Sequence, residues 1–126
     1  MLVKVRTGSR LHLGFTSLSS APSPWSGIGL MIEDPGVTVR VSSPGRGRLD
    51  CSDEHAELVR SVVRALGSDL SALDIGVEAT PLHVGLGTTT QLSLAVGMAL
   101  SVLSGSEFDV LRVARLTGRG RRSWIG

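Results

Sequence analysis

Two glycines one residue apart stand directly before three threonines: Gly85, Leu86, Gly87, Thr88, Thr89 and Thr90, with Gln91 next. Glycine lets a chain turn sharply and lets a ligand approach the backbone without a Cβ in the way. If a helix opens at the threonines, its first N–H groups have no intrahelical partner. Those donors and the positive end of the helix dipole would form an anion site. The threonine hydroxyls would add donors, and no acid lies between Pro81 and Gln91. Phosphate or pyrophosphate chemistry is the expectation for this turn. It is not a P-loop, because no lysine follows the second glycine, and it lacks the third glycine of the dinucleotide fingerprint. The plain alternative is a glycine-containing loop with a threonine helix cap.

A second candidate is the pair Arg10 and His12, at i and i+2 on one face of a strand. Arg10 suits bidentate pairing with a carboxylate or phosphate. His12 suits donation to a phosphate or movement of a proton. Ordinary polar residues on a wet strand face would look the same. His83 reads as a solvent-facing loop residue, and His55, near a helix start, as surface. A third candidate is the arginine cluster at the end of the sequence. Residues 1–111 carry eight basic and eleven acidic side chains, whereas residues 112–126 carry five arginines and no acid. Arg119, Arg121, Arg122 and Ser123, between flexible glycines, could close over an anionic substrate. They could equally form a solvated basic end. Trp25 and Trp124 fall in loops by position, and Trp25 could stack on an aromatic ring.

The elements that must position these groups follow from hydrophobic periodicity. Residues 2–6 and 9–16 alternate as strands, the second with Leu11, Leu13 and Phe15 opposite Arg10, His12 and Gly14. Residues 21–27 are loop-like, and 28–32 form a short apolar strand. Asp34-Pro35-Gly36 signals a turn, and a strand follows over 37–41. Residues 44–48 are another loop. Residues 52–66 read as a helix with Leu58, Val59, Val62, Val63 and Leu66 on one face, closed by Gly67. Residues 73–79 alternate again. After the loop 81–87, residues 88–103 form a helix apolar nearly all round, hence buried on most sides. Ser106 is expected to cap a last helix over 107–116, with Asp109 near the capping-box position. The order, four strands, helix, strand, two helices, disfavours a doubly wound sheet. It predicts an α+β fold, a two-layer mixed sheet with helices on one face.

Composition sets outer limits. The 126 residues are 41% apolar but only 3% aromatic, with no tyrosine, so the core must be aliphatic. The one cysteine, Cys51, excludes an internal disulfide and a thiolate metal site, and reads as a small apolar residue near a loop. A reducing, cytoplasmic setting fits. No signal-peptide pattern is present, and the apolar stretch 92–103 falls short of the about 20 residues that span a bilayer.

The residues Pro81-Leu82-His83-Val84-Gly85-Leu86-Gly87-Thr88-Thr89-Thr90 resemble the second motif of the GHMP kinases, with threonine where most members have serine. Three ordered segments resemble one branch of that family, the β-ribofuranosylaminobenzene 5′-phosphate synthases of methanopterin biosynthesis. They are Ser9-Arg10-Leu11-His12-Leu13-Gly14, then Gly27-Ile28-Gly29-Leu30 with Glu33-Asp34-Pro35, then the glycine–threonine turn with Gln91-Leu92. Gly118-Arg119-Gly120-Arg121-Arg122-Ser123 resembles a fourth, arginine-rich element. The resemblance implies a GHMP-kinase N-terminal domain with a left-handed βαβ crossover, against the usual right-handed rule. It implies condensation of 4-aminobenzoate or 4-hydroxybenzoate with phosphoribosyl pyrophosphate, releasing CO2 and pyrophosphate. Under it, the turn would hold the pyrophosphate and Arg10 and His12 would act at the reacting centre. Ser9, Gly27, Gln91 and the terminal arginines with Ser123 would contact substrate. Mg2+ bridging the phosphate oxygens is implied too, without a named ligand. ATP would not be needed by a synthase but would be by a kinase.

Members of that branch are longer than this chain. The expectation is therefore a single GHMP-type domain over residues 1–126, truncated, with the C-terminal domain absent. An ATP-dependent small-molecule kinase of the same superfamily is the first alternative. A basic nucleic-acid-binding module is the second, disfavoured because exposed aromatic platforms for base stacking are lacking. An inactive fragment is the third. The partner is a phosphorylated small molecule, with no membrane; a homodimer is compatible with the sequence.

Overall fold

A computed structural model describes residues 1–17 and 25–118. Two long strands open it, β1 (Leu2–Ser17) and β2 (Trp25–Ser42). A two-residue strand β3 (Leu49–Asp50) precedes helix α1 (Asp53–Ala65). After a single 3₁₀ turn (Leu70–Ala72) come β4 (Asp74–Glu78), α2 (Thr88–Ser104) and α3 (Val110–Leu116). The sheet order is β1-β2-β4-β3. β1, β2 and β4 pair antiparallel, and β3 pairs parallel with β4. The sheet is mixed, and α1 is the crossover between its two parallel strands.

Alternation decides which sheet face is covered. Val3 and Val5, then Val37, Val39 and Val41, then Ile75 and Val77 are buried and form one core with α1 and α2. Burying one such side chain contributes about 1.5–3 kcal/mol. On the opposite face, Arg40 Nη1 meets Glu78 Oε1 at 2.7 Å, an exposed pair worth at most about 1 kcal/mol. The helix-facing side therefore holds the sheet. α2 lies on β1 and β2, with α1 and α3 against it. It is buried through Leu92, Ala95, Val96, Ala99 and Leu100.

Three expectations need correction. Asp34-Pro35-Gly36 does not reverse the chain. Thr7 pairs with Val37 and Ser9 with Ile32, so residues 33–36 bulge out opposite Gly8 while pairing with β1 continues on both sides. A Cβ on Gly8 would lie 2.3 Å from Ile32 O, and one on Gly36 would lie 2.4 Å from Thr7 O. The turn residues are spent on a bulge, and two expected strands merge into one. Trp25 accordingly begins a strand rather than sitting in a loop. The last helix starts at Val110, not 107, because the Asp109 carboxylate accepts the Arg112 N–H at 3.0 Å and is itself the cap. The Ser106 hydroxyl instead lies 2.8 Å from that of Ser104.

Candidate anion site at the glycine–threonine turn

The turn between β4 and α2 contains three left-handed residues: His83 at φ 61°, Gly85 at 85° and Gly87 at 65°. The second half of this geometry is natural for glycine. Gly87 is the N-cap of α2 and offers no side-chain acceptor. The first intrahelical bond runs from Gln91 N to Gly87 O at 3.0 Å. Among the described residues, no side chain caps the preceding amides, of Thr88, Thr89 and Thr90, as an anion site requires.

Arg10 is brought to this helix end by β1. Its N–H donates to Leu86 O at 2.8 Å, so strand and turn share a backbone bond. A Cβ placed on Gly87 would lie 3.4 Å from Arg10 Cβ and 3.7 Å from its Nε. The arginine side chain thus rests against the glycine at ordinary contact distance, and it is the left-handed φ of 65° that favours glycine here. Arg10 Nη1 is buried and has no hydrogen-bond partner among the described residues. A buried donor without an acceptor costs about 1–3 kcal/mol, more when it is charged. An anion on the turn's amides would relieve that cost, so the donor set fits a phosphate group.

Three groups from elsewhere fix the turn. The His55 ring, 6% exposed, has Nε2 2.9 Å from Thr80 O; since a carbonyl only accepts, Nε2 carries the proton. The Thr80 and Thr88 hydroxyls are 2.8 Å apart. Glu54 Oε2 accepts the Leu82 N–H at 3.2 Å. The expectation that His55 lies on the surface is corrected. The segment from Pro81 to Gln91 holds no acid of its own, but α1 folds Glu54 against it. Glu54 takes an amide of the loop, not one of α2, so the helix end is left uncapped.

Other candidate residues fall as follows. Thr88 is buried, and its hydroxyl faces Thr80, leaving its main chain to the site. Thr89 borders an open cleft of about 420 Å³ with Glu54, Glu57, Ser61, Leu82 and His83. His83 is exposed, as expected. Ser9 is fully buried, and its hydroxyl donates to Pro35 O at 2.5 Å, anchoring the bulge; it is a structural group here. His12 and Gly27 lie in paired strands, opposite Gly29 and Phe15, but the His12 side chain is outside the described set. Arg119, Arg121, Arg122, Ser123 and Trp124 lie outside the described residues. Among the described residues, no three His, Cys, Asp or Glu side chains cluster to hold a metal, and no helix is long and apolar enough to cross a membrane.

No family model matches the chain. Solved structures share its topology. A 4-(cytidine 5′-diphospho)-2C-methyl-D-erythritol kinase superposes with a TM-score of 0.68 at 18% identity, covering 92% of this chain and 46% of that one. The mevalonate kinase of Methanococcus jannaschii gives 0.62 at 14% identity, over 93% of this chain and 45% of its own. This is the GHMP-kinase fold. Within it, the curated relatives are synthases by name. A β-ribofuranosylphenol 5′-phosphate synthase of Methanocaldococcus jannaschii is 33% identical over 142 residues, taking in 97% of this chain and 42% of the relative. One of the same name from Archaeoglobus fulgidus is 30% identical, over 99% of this chain and 41% of its own length. The chain thus spans about two-fifths of the curated relatives it matches. The GHMP-kinase fold accounts for the buried α2 and for the turn at its start.

Proposed function

We propose that this chain supplies the pyrophosphate-binding part of a β-ribofuranosylphenol 5′-phosphate synthase, in a cytoplasmic pathway to methanopterin. The single observation that carries the reading is that, among the described residues, the start of α2 is uncapped and Arg10 Nη1 beside it is unpaired. The names of the curated relatives support the reaction. A phenol product follows from 4-hydroxybenzoate, so that acid, rather than 4-aminobenzoate, is the assigned aromatic substrate.

In this reaction the bond from C1 of phosphoribosyl pyrophosphate to the leaving oxygen breaks, and its electron pair departs with pyrophosphate. The ring carbon bearing the carboxylate attacks C1. The ring–carboxylate bond then breaks, CO2 leaves and aromaticity returns, so no oxidant or reductant is required. The amides at Thr88–Thr90 and the Arg10 guanidinium stabilise the charge that develops on the diphosphate, aimed where charge grows. His12, two residues along β1, is assigned the phenolic proton. The Arg119–Ser123 segment is assigned to the remaining anionic groups of the substrates. Mg2+ neutralises diphosphate oxygens when bound, and Glu54 and Glu57 are the carboxylates that α1 brings to the cleft beside the turn. One or two carboxylates suffice for such an ion when phosphates supply the rest.

The kinase fold of the solved neighbours keeps one competing reading, an ATP-dependent kinase. Isothermal titration with phosphoribosyl pyrophosphate and with ATP separates the two. Tighter binding of phosphoribosyl pyrophosphate, with CO2 released from carboxyl-labelled 4-hydroxybenzoate, is expected. Preferential ATP binding would replace the synthase reading by the kinase.

A further inference from the structure

His55 has no place in the chemistry above, yet it is the most buried titratable side chain near the turn. It sits in the first turn of α1, where its own N–H donates to Ser52 Oγ at 3.2 Å. Its ring reaches away from that helix end to the main chain just after β4. From there the contact continues: His55 Nε2 to Thr80 O at 2.9 Å, and Thr80 Oγ1 to Thr88 Oγ1 at 2.8 Å. Thr88 is the first residue of α2 and is 2% exposed. Three elements therefore meet in one partly buried polar chain that ends on the residue whose amide opens the anion site.

We infer that His55 is a positioning residue for this turn: through Thr80 it sets where α2 begins and hence where its free amides point. The inference rests on reading the turn as the anion site. Two features favour a positioning role over simple packing. Burying an imidazole in an aliphatic core costs free energy unless it is hydrogen-bonded, and an alkyl side chain at 55 would fill the space without that requirement. The bond also goes to the segment that needs fixing. The turn carries three left-handed residues within five, so its own torsions restrain it little. Held groups must keep their geometry through supporting contacts, and the Arg10 N–H to Leu86 O bond secures only the far end.

The test uses hydrogen exchange at two amides that report the turn, Arg10 N (bonded to Leu86 O) and Gln91 N (bonded to Gly87 O), with pyrophosphate titration alongside. His55→Leu removes the donor. His55→Gln keeps an N–H at a similar reach. Thr80→Val breaks the second link without touching His55. Val113→Ala, under α2 but far from the turn, controls for general loss of stability. His55→Leu and Thr80→Val are expected to speed exchange at both amides and weaken pyrophosphate about fivefold, the worth of one hydrogen bond. His55→Gln should restore both, and Val113→Ala should change neither. Unchanged exchange at Arg10 and Gln91 in both His55→Leu and Thr80→Val overturns the inference, as does equal acceleration by Val113→Ala. If His55→Leu does not fold, Thr80→Val decides alone. If the wild-type chain binds no pyrophosphate while exchange responds as expected, the anion reading fails and the positioning role of His55 stands.

Discussion

Arg10 and Gly87 define the site at the scale of single residues. The arginine brings a positive charge into a partly enclosed place where, among the described residues, Nη1 has no acceptor. That arrangement is costly when no ligand is bound and favourable when an anion arrives. The two effects can be separated by Arg10→Met, which keeps the apolar stem against Gly87 and removes the guanidinium. The ligand-free variant is expected to melt at or above the wild-type temperature, because the loss of an unsatisfied buried donor offsets lost packing. Its pyrophosphate affinity should fall by roughly tenfold or more, the worth of a charged hydrogen bond. A variant that melts lower and binds as well as wild type would show that the guanidinium serves packing alone. Gly87 is the complementary case. Alanine there must adopt φ near 65° and place a Cβ 3.4 Å from Arg10 Cβ. That contact is an ordinary one, but the left-handed conformation alone costs about 1–2 kcal/mol, and relaxing it would turn the first amides of α2 away, so Gly87→Ala is expected to weaken pyrophosphate, which calorimetric titration would measure.

Elements make their own demands. α2 and α3 approach closely because Gly97 has no side chain. A Cβ there would lie 2.7 Å from Val113 Cγ1 and 2.9 Å from its Cγ2. Both are methyls of a β-branched side chain in a buried position, so neither can swing away. Gly97→Ala is expected to destabilise by about 1–3 kcal/mol, as overpacking does, although alanine is the better helix former. Chemical denaturation would read the change, and a more stable variant would mean that α3 slides freely. The loop before β3 has a different fastening: Asp74 Oδ1 accepts the N–H groups of Arg46 at 2.8 Å and Arg48 at 3.0 Å. These bonds, that to Arg46 first, hold its carboxyl below the ordinary value of 3.8. A depressed carboxyl contributes stability that is present above the ordinary value and is lost as pH falls through the lowered one. Acidification below 3.8 should therefore lower the protection of the Arg46 and Arg48 amides, read as the measured exchange rate against the intrinsic rate at each pH, and Asp74→Asn should flatten that dependence. How much of this was legible in the sequence differs by element. The amphipathic α1, the all-round apolar α2 and the strand β4 were, since each depends on a period that local residues set. The burial of His55 was legible too: it stands four residues before Val59 and seven before Val62, on their buried face. The bulge at residues 33–36 was not, because Asp-Pro-Gly serves a reversal and a bulge equally well. Pairing with β1 decides between them. Glu54 at the turn was not legible either, since only the crossover brings α1 there.

At the scale of the whole molecule, the anion site is a junction rather than a pocket in one element. β1 supplies Arg10, α2 its first amides, and α1 the Glu54 and His55 braces, with the end of β4 between them. None of these groups is together in the unfolded chain, so an anion that binds here binds the native state alone. Ligand then shifts the folding equilibrium by mass action. With pyrophosphate at a hundredfold its Kd the gain is about 2.7 kcal/mol, which for a chain of 126 residues corresponds to a rise in Tm on the order of 10 °C. Orthophosphate, with fewer oxygens to span the amides and Arg10, should produce a smaller rise at equal concentration. The dependence on ligand concentration separates specific binding from general salt effects, since a logarithmic rise is expected for pyrophosphate and chloride at matched ionic strength should not reproduce it. The same titration on Arg10→Met should lose most of the shift. A Tm unmoved by pyrophosphate in the wild-type chain would remove the anion from this junction. The unpaired guanidinium nitrogen would then lack the ligand that best accounts for its burial.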